Sequence, residues 1–158
     1  MPLKLYSDCS HISKKGLNIE VRYMVKLSNE MKEDFAKMKV FPFATASKGG
    51  EPNVVPIGIC KLQEDGETIW IADNYFYKTR QNLEENPRGA IYVWGPEVKG
   101  CYQIKGDFEV KTEGEAYEKM YKMVKSIGER FPAKALVIMK ITDVYECKSG
   151  AEAGKKIL

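Results

Sequence analysis

Only Ser47-Lys48-Gly49-Gly50-Glu51 separates the strand-like stretch Phe41-Pro42-Phe43-Ala44-Thr45-Ala46 from a second, Asn53-Val54-Val55-Pro56-Ile57-Gly58-Ile59-Cys60. A connection so short, with two glycines, joins strands as a hairpin, because parallel neighbours need a crossover of about a dozen residues or more. The two strands are therefore antiparallel. Pro56 restricts the second one further, since it has no N–H to give to a ladder and excludes a central, regularly paired strand at that point. With the side-chain-free Gly58 after it, Pro56 marks either a bulge or a place where a flat molecule lies close against the backbone, and the two readings are compatible.

The remaining strands are also joined without crossover helices. Glu64-Asp65-Gly66-Glu67 turns the chain into a strand over 68–72, and further strands are expected over 89–94 and 135–141, the last extendable through Val144-Tyr145-Glu146. Between them Tyr102, Ile104, Phe108 and Val110 alternate with polar residues, the pattern of a strand with one buried face, and Gly106 suggests a bend. Helices are confined to the margins. Ser28 caps one that carries Met31, Phe35 and Met38 on a single stripe, with Leu27 as a hydrophobic staple. Another is expected over 115–131, where Tyr117, Met120, Tyr121, Val124, Ile127 and Phe131 form a core stripe. The pattern predicts a mainly β protein with marginal helices, a small antiparallel barrel of six or so strands, which removes sheet edges by closure. There is no βαβ alternation, Gly-x-Gly-x-x-Gly or Walker loop, so a nucleotide would be held by other means.

A length of 158 residues fits one domain with a proper core. The expected organisation is an N-terminal arm over 1–26, a barrel over 27–148 and a polar C-terminal tail over 149–158. Met24 stands as a second candidate start, and the opening residues lack the apolar stretch of a secretory signal. No apolar run is long enough for a bilayer, so no membrane partner is expected. Net charge is +3 with acidic and basic residues interleaved, which disfavours nucleic acid. Cys9, Cys60, Cys101 and Cys147 are spread without a Cys-x-x-Cys pair, the usage of a reducing cytoplasm. His11 is the one histidine, so neither a zinc site nor Ser-His-Asp or Cys-His machinery elsewhere in the chain is expected.

The segment from Tyr77 to Pro87 is the candidate binding element. Asp73-Asn74 breaks the preceding strand, Thr79 has the composition of an N-cap, and Asn86-Pro87 stops a two-turn helix that starts near Lys78. Free N–H groups at such a start, the positive end of the helix dipole, the Thr79 hydroxyl and the Lys78 ammonium converge on a phosphate-sized volume.

Ala44-Thr45-Ala46, the hairpin glycines, Asn53-Val54-Val55-Pro56-Ile57-Gly58, Tyr77-Lys78-Thr79 with Asn82-Leu83 and Asn86-Pro87, and Tyr102-Gln103-Ile104-Lys105-Gly106 occur in this order. In order and spacing they resemble the pyridoxamine 5'-phosphate oxidase-like FMN-binding split barrels, especially their small FMN-binding proteins, over roughly residues 27 to 147, and the resemblance implies a six-stranded antiparallel split β-barrel of Greek-key type. The resemblance implies that Lys78 and Thr79 hold the FMN phosphate and that the backbone of Asn53, Val54, Val55, Pro56, Ile57 and Gly58 lies along the isoalloxazine ring. It implies flavin contacts from Ile71, Ala72 and Asp73, and stacking neighbours in Tyr77 and Trp94, with core packing the other reading of Trp94. It further implies a homodimer with FMN at the subunit interface, where Cys101, Tyr102 and Gln103 reach the flavin held by the other subunit. Pyridoxamine phosphate oxidases proper carry an arginine in place of Tyr77 and a longer arginine-containing C-terminal segment; this chain ends Gly154-Lys155-Lys156-Ile157-Leu158, and the vitamin B6 reaction is not carried over.

The resemblance implies an FMN-dependent oxidoreductase or electron carrier acting on a small-molecule redox substrate or electron donor. Two alternatives stand beside it: a reductase of the same barrel that uses the deazaflavin F420, and a non-catalytic flavin-binding or sensing module.

Overall fold

The structure, a computed structural model, describes residues 23–158, so most of the arm expected over 1–26 lies outside the described residues. The elements run α1 (Asn29–Lys37), β1 (Phe41–Ala46), β2 (Pro52–Ile57), β3 (Cys60–Leu62), β4 (Thr68–Asp73), α2 (Lys78–Glu85), β5 (Arg88–Val93), β6 (Tyr102–Lys111), α3 (Glu115–Ile127) and β7 (Ala135–Glu146). Seven strands, not six, form one antiparallel sheet in the order β2-β1-β5-β6-β7-β4-β3. The extra strand comes from the stretch 53–60, which is two strands. Gly58 and Ile59 alone join β2 to β3, although these two lie at opposite ends of the sheet. The sheet therefore curls until its edges approach each other, and the fold is a split barrel. Ile59 fixes the junction by accepting a hydrogen bond from the Ala72 amide at 3.0 Å.

Pro56 accordingly sits on an edge strand, as a residue without an N–H must. No bulge accompanies it: β1 and β2 pair without a break, with Pro42 opposite Pro56. Alternate residues of an antiparallel strand turn their N–H away from the partner, so a proline at such a position costs the ladder nothing. The register shift falls instead between Lys105 and Gly106 of β6, where the sequence suggests a bend.

The interior of the curl holds Phe43, Ile69, Ile71, Ile91, Ile104, Met139 and Ile141, all fully buried. α1 closes one end. Ser28 Oγ accepts from the Met31 amide at 3.3 Å, and Phe35 packs its ring 4.4 Å from that of Phe41. α3 covers the outer face of β4 and β7, but its apolar stripe is narrower than its sequence implies. Met120 and Val124 are buried with Leu136 and Ile138, whereas Tyr121 and Ile127 are exposed. The helix stops at Ile127 because the chain turns at Gly128, whose amide bonds back to Val124, and Phe131 lies beyond it. Both ends of the described chain run along β7: the Val25 amide donates to Ile141 O at 2.9 Å, and the Val144 amide donates to Leu158 O at 3.1 Å.

Asp34 of α1, buried, accepts from the Lys99 and Gly100 amides at 3.0 and 2.9 Å and so fastens α1 to the loop before β6. Replacing it by alanine leaves two donors without their acceptor. Asp34→Ala is expected to cost about 2–3 kcal/mol, read as a lowered midpoint in urea with an unchanged slope.

Candidate functional site

The strand β4 ends at Asp73, which together with Asn74 holds the next turn in place. Asp73 Oδ1 accepts from the Phe76 amide at 2.9 Å, and Asp73 Oδ2 takes the Arg80 guanidinium at 2.6 Å. Asn74 Oδ1 accepts from the Ala133 amide at 2.9 Å, which ties the turn to the segment ahead of β7. The chain then enters α2 at Lys78. Thr79 is not its N-cap: Tyr77 occupies that position and supplies no side-chain hydrogen bond, so the first-turn N–H groups have no capping side chain. Thr79 is the second helical residue and buried, and its hydroxyl accepts from Asn53 Nδ2 at 3.0 Å. Asn53 and Asn82 both donate to Thr45 Oγ1 at 3.1 Å, so a polar network ties the start of α2 to β1 and β2. The buried Asn82 Oδ1 has no partner among the described residues.

A cleft of about 560 Å³ opens between the edge strand β2 and this turn. Of the sequence-predicted residues, Asn53, Val55, Pro56, Ile57, Ala72, Tyr77, Lys78 and Thr79 line it together. The volume is ordinary for a small-molecule or cofactor site. Its donors gather at one end: the uncapped start of α2, the Lys78 ammonium, and the Thr79 hydroxyl, whose proton is not spent on its bond with Asn53. The other cation of the first turn, Arg80, is committed to Asp73 and to Glu84 at 2.9 Å, whereas Lys78 has no ion-pair partner among the described residues. No carboxylate among the described residues lines the cleft. Such a donor set fits a phosphate, and the long apolar wall beside it fits a flat ring.

Other predicted residues stand elsewhere. Val54 is 65% exposed and, by strand alternation, points away from the cleft that Asn53 and Val55 line. The Ile71 side chain is fully buried in the core, and the Asp73 carboxylate is taken up by Arg80 and Lys134. Tyr102 also points inward, where its hydroxyl donates to Met31 O at 3.0 Å; burial, and then the Asp34 carboxylate beside it, hold that hydroxyl well above the usual tyrosine range. Cys101 lines a second cleft of about 570 Å³ with Tyr92, Trp94 and Cys147. Trp94, 61% exposed, is not a core residue.

Sequence reasoning missed Ile59, Asn74, Tyr75, Phe76 and Phe131, all of which line the first cleft. Tyr75 and Phe76 adjoin the Asp73-Asn74 break, and two aromatics in a turn ahead of a helix start are a signal that could have found them. For Phe131 no local signal exists, because its place depends on α3 ending before it.

The strand order and the cleft at the seam define a split-barrel protein, and the comparisons with known proteins name the group. The sequence profile described as pyridoxamine 5'-phosphate oxidase matches residues 27–148. This chain belongs to the pyridoxamine 5'-phosphate oxidase family. An uncharacterized protein of Methanocaldococcus jannaschii is 37% identical over 139 residues, which cover 85% of this chain and 89% of that protein. Among solved structures, HupZ of Group A Streptococcus superposes with a TM-score of 0.68 at 29% identity, covering 81% of this chain and 99% of that one. An FMN-binding protein of Syntrophomonas wolfei superposes with a TM-score of 0.57 at 22% identity, over 73% of this chain and 81% of that one. An F420 reductase shares the fold at 17% identity, with a TM-score of 0.55 over 76% of this chain and 98% of that one.

Proposed function

We propose that this protein is a homodimeric FMN-binding oxidoreductase or electron carrier whose cofactor occupies the cleft between β2 and α2. One observation carries the reading: the uncapped start of α2, the Lys78 ammonium and the spare Thr79 proton face the same cleft as the β2 backbone. In this reading Lys78 and Thr79 hold the phosphate, and the backbone around Asn53, Val55, Pro56 and Ile57 carries the ring, with Ala72 closing the cleft behind it. Bound flavin supplies the redox chemistry, and the protein's part is to anchor, orient and shield it. The partner subunit would complete the site. Val54, Tyr77 and Trp94 are exposed apolar or aromatic side chains of the kind an interface covers. Cys101 and Gln103 would approach the flavin from that side, with Tyr102 contributing backbone only.

The FMN-binding and F420-reductase neighbours both use this barrel, and the donor set of α2 suits the phosphate of either cofactor. The test is an absorbance spectrum of the purified protein with mass determination of the chromophore released on heating. A yellow protein releasing FMN is expected. Release of F420 would replace the cofactor but keep the site, and a colourless protein that FMN does not reconstitute would overturn the proposal. Bound FMN that is not reduced by NADH, NADPH or small reductants would turn the reading to a non-catalytic flavin-binding module.

A further inference from the structure

We propose that Cys101 and Cys147 form a redox-responsive cross-strand pair, a modification site at which a hydroperoxide closes a disulfide between the start of β6 and the end of β7. The two cysteines stand opposite each other. Tyr102 pairs with Glu146, and one step outward the Cys147 amide donates to Cys101 O at 2.7 Å. Directly opposed residues of an antiparallel pair have Cα atoms about 4.5–5.5 Å apart, inside the span of roughly 4.4–6.8 Å that a disulfide takes. Strand alternation puts both thiols on the same face, the one opposite the buried Tyr102 ring. They line one cleft, with Trp94, Lys99 and Lys148 around them.

The surroundings assign an order to the two sulfurs. Cys101 is the more buried and lies 3.0 Å from the Tyr92 hydroxyl, whereas Cys147 is the more open to the cleft. Cys147 sulfur attacks a peroxide oxygen, the O–O bond breaks, and water leaves, giving a sulfenic acid on Cys147. Cys101 sulfur then attacks that sulfenic sulfur, the S–S bond forms, and the hydroxyl departs as a second water with the Cys101 proton. For hydrogen peroxide the balance is two thiols and one peroxide giving one disulfide and two waters, the thiols losing two electrons and the peroxide gaining them. Burial first, and then Cys101 and Glu146 nearby, raise the Cys147 thiol above its usual range. Cys147 is thus unlike the acidified cysteine of a turnover nucleophile.

The experiment treats the full-length reduced protein with hydrogen peroxide, blocks free thiols, and maps tryptic peptides without reductant. The expected result is one crosslinked species joining the Cys101 and Cys147 peptides, equal in mass to their sum less two hydrogens and lost on reduction. It persists in Cys60→Ser and Cys9→Ser and disappears in Cys101→Ser and in Cys147→Ser. Wild-type protein that yields only sulfinic or sulfonic acids on separate cysteines, or only disulfides between chains, would overturn the proposal. That reading needs no variant to fold, and it is taken from peptide masses, so it can be scored whether or not a flavin held by the partner subunit also reaches Cys101.

Discussion

Gly106→Val is expected to lower the melting temperature by roughly 10 °C. Gly106 lies at the register shift of β6, directly opposite Gly89 of β5. A Cβ at Gly106 would run into the backbone carbonyl of Lys140, with Met139 Cγ only 2.9 Å away. Backbone cannot step aside as a side-chain tip can. On the other strand a Cβ at Gly89 would meet Ala44 O at 2.6 Å and the Phe108 ring at 3.2 Å. The facing glycines are thus where the curled sheet brings backbone and aromatic core into contact with no room for a side chain. Overpacking at such a place costs about 3 kcal/mol, which for a chain of this size is a shift of roughly 6–12 °C. Thermal unfolding monitored by circular dichroism checks it; a variant within about 2 °C of the parent would mean that the sheet relaxes there freely.

Lys78→Ala is expected to weaken FMN binding by roughly 10- to 100-fold while leaving the fold intact. A hydrogen bond to a charged group contributes about 1.5–3 kcal/mol, and each 1.4 kcal/mol is about tenfold in affinity. Lys78 is exposed and has no ion-pair partner among the described residues, so its removal orphans no charge among them. Lys78→Glu should weaken binding further, because a carboxylate would then repel the phosphate and compete with it for the first-turn N–H groups. Arg80→Ala separates anchoring from architecture: Arg80 holds the buried Asp73 carboxylate, so that change should lower stability first and affinity only through it. Flavin fluorescence quenching on titration supplies the dissociation constants. An unchanged constant for Lys78→Ala would remove Lys78 as the phosphate anchor.

How far the sequence can be read depends on whether a feature is local. The hairpin of β1 and β2 is written in Gly49 and Gly50, and β1 is readable residue for residue from 41 to 46. The start and length of α2 are legible from Lys78 to Asn86-Pro87. Thr79 misleads because cap preference is a statistical property of the residue type. Here the hydroxyl serves Asn53 on a strand 26 residues away, a bond that only the closed barrel creates. β3 escapes the sequence for a related reason. Its three residues have no pattern of their own and become a strand only because β4 lies beside them. At Tyr102 the alternation Tyr102, Ile104, Phe108 predicts a buried ring, and the ring is buried. Phe131 joins the cleft through the path of the chain after α3, which no window around Phe131 contains.

Because β7 pairs with both β4 and β6 and also holds both ends of the described chain, synthesis from the N-terminus leaves the sheet in two unjoined parts until residues 135–146 emerge. Before that point β4 has only the three-residue β3 as a partner, and β6 has one open edge. Two strand edges stay exposed on the nascent chain, where they can pair with other chains or be held by chaperones. β7 then pairs along the whole of β4, the strand that carries Ala72, and joins it to β6. Truncation within β7 should therefore yield aggregated chains, because both of those edges stay open.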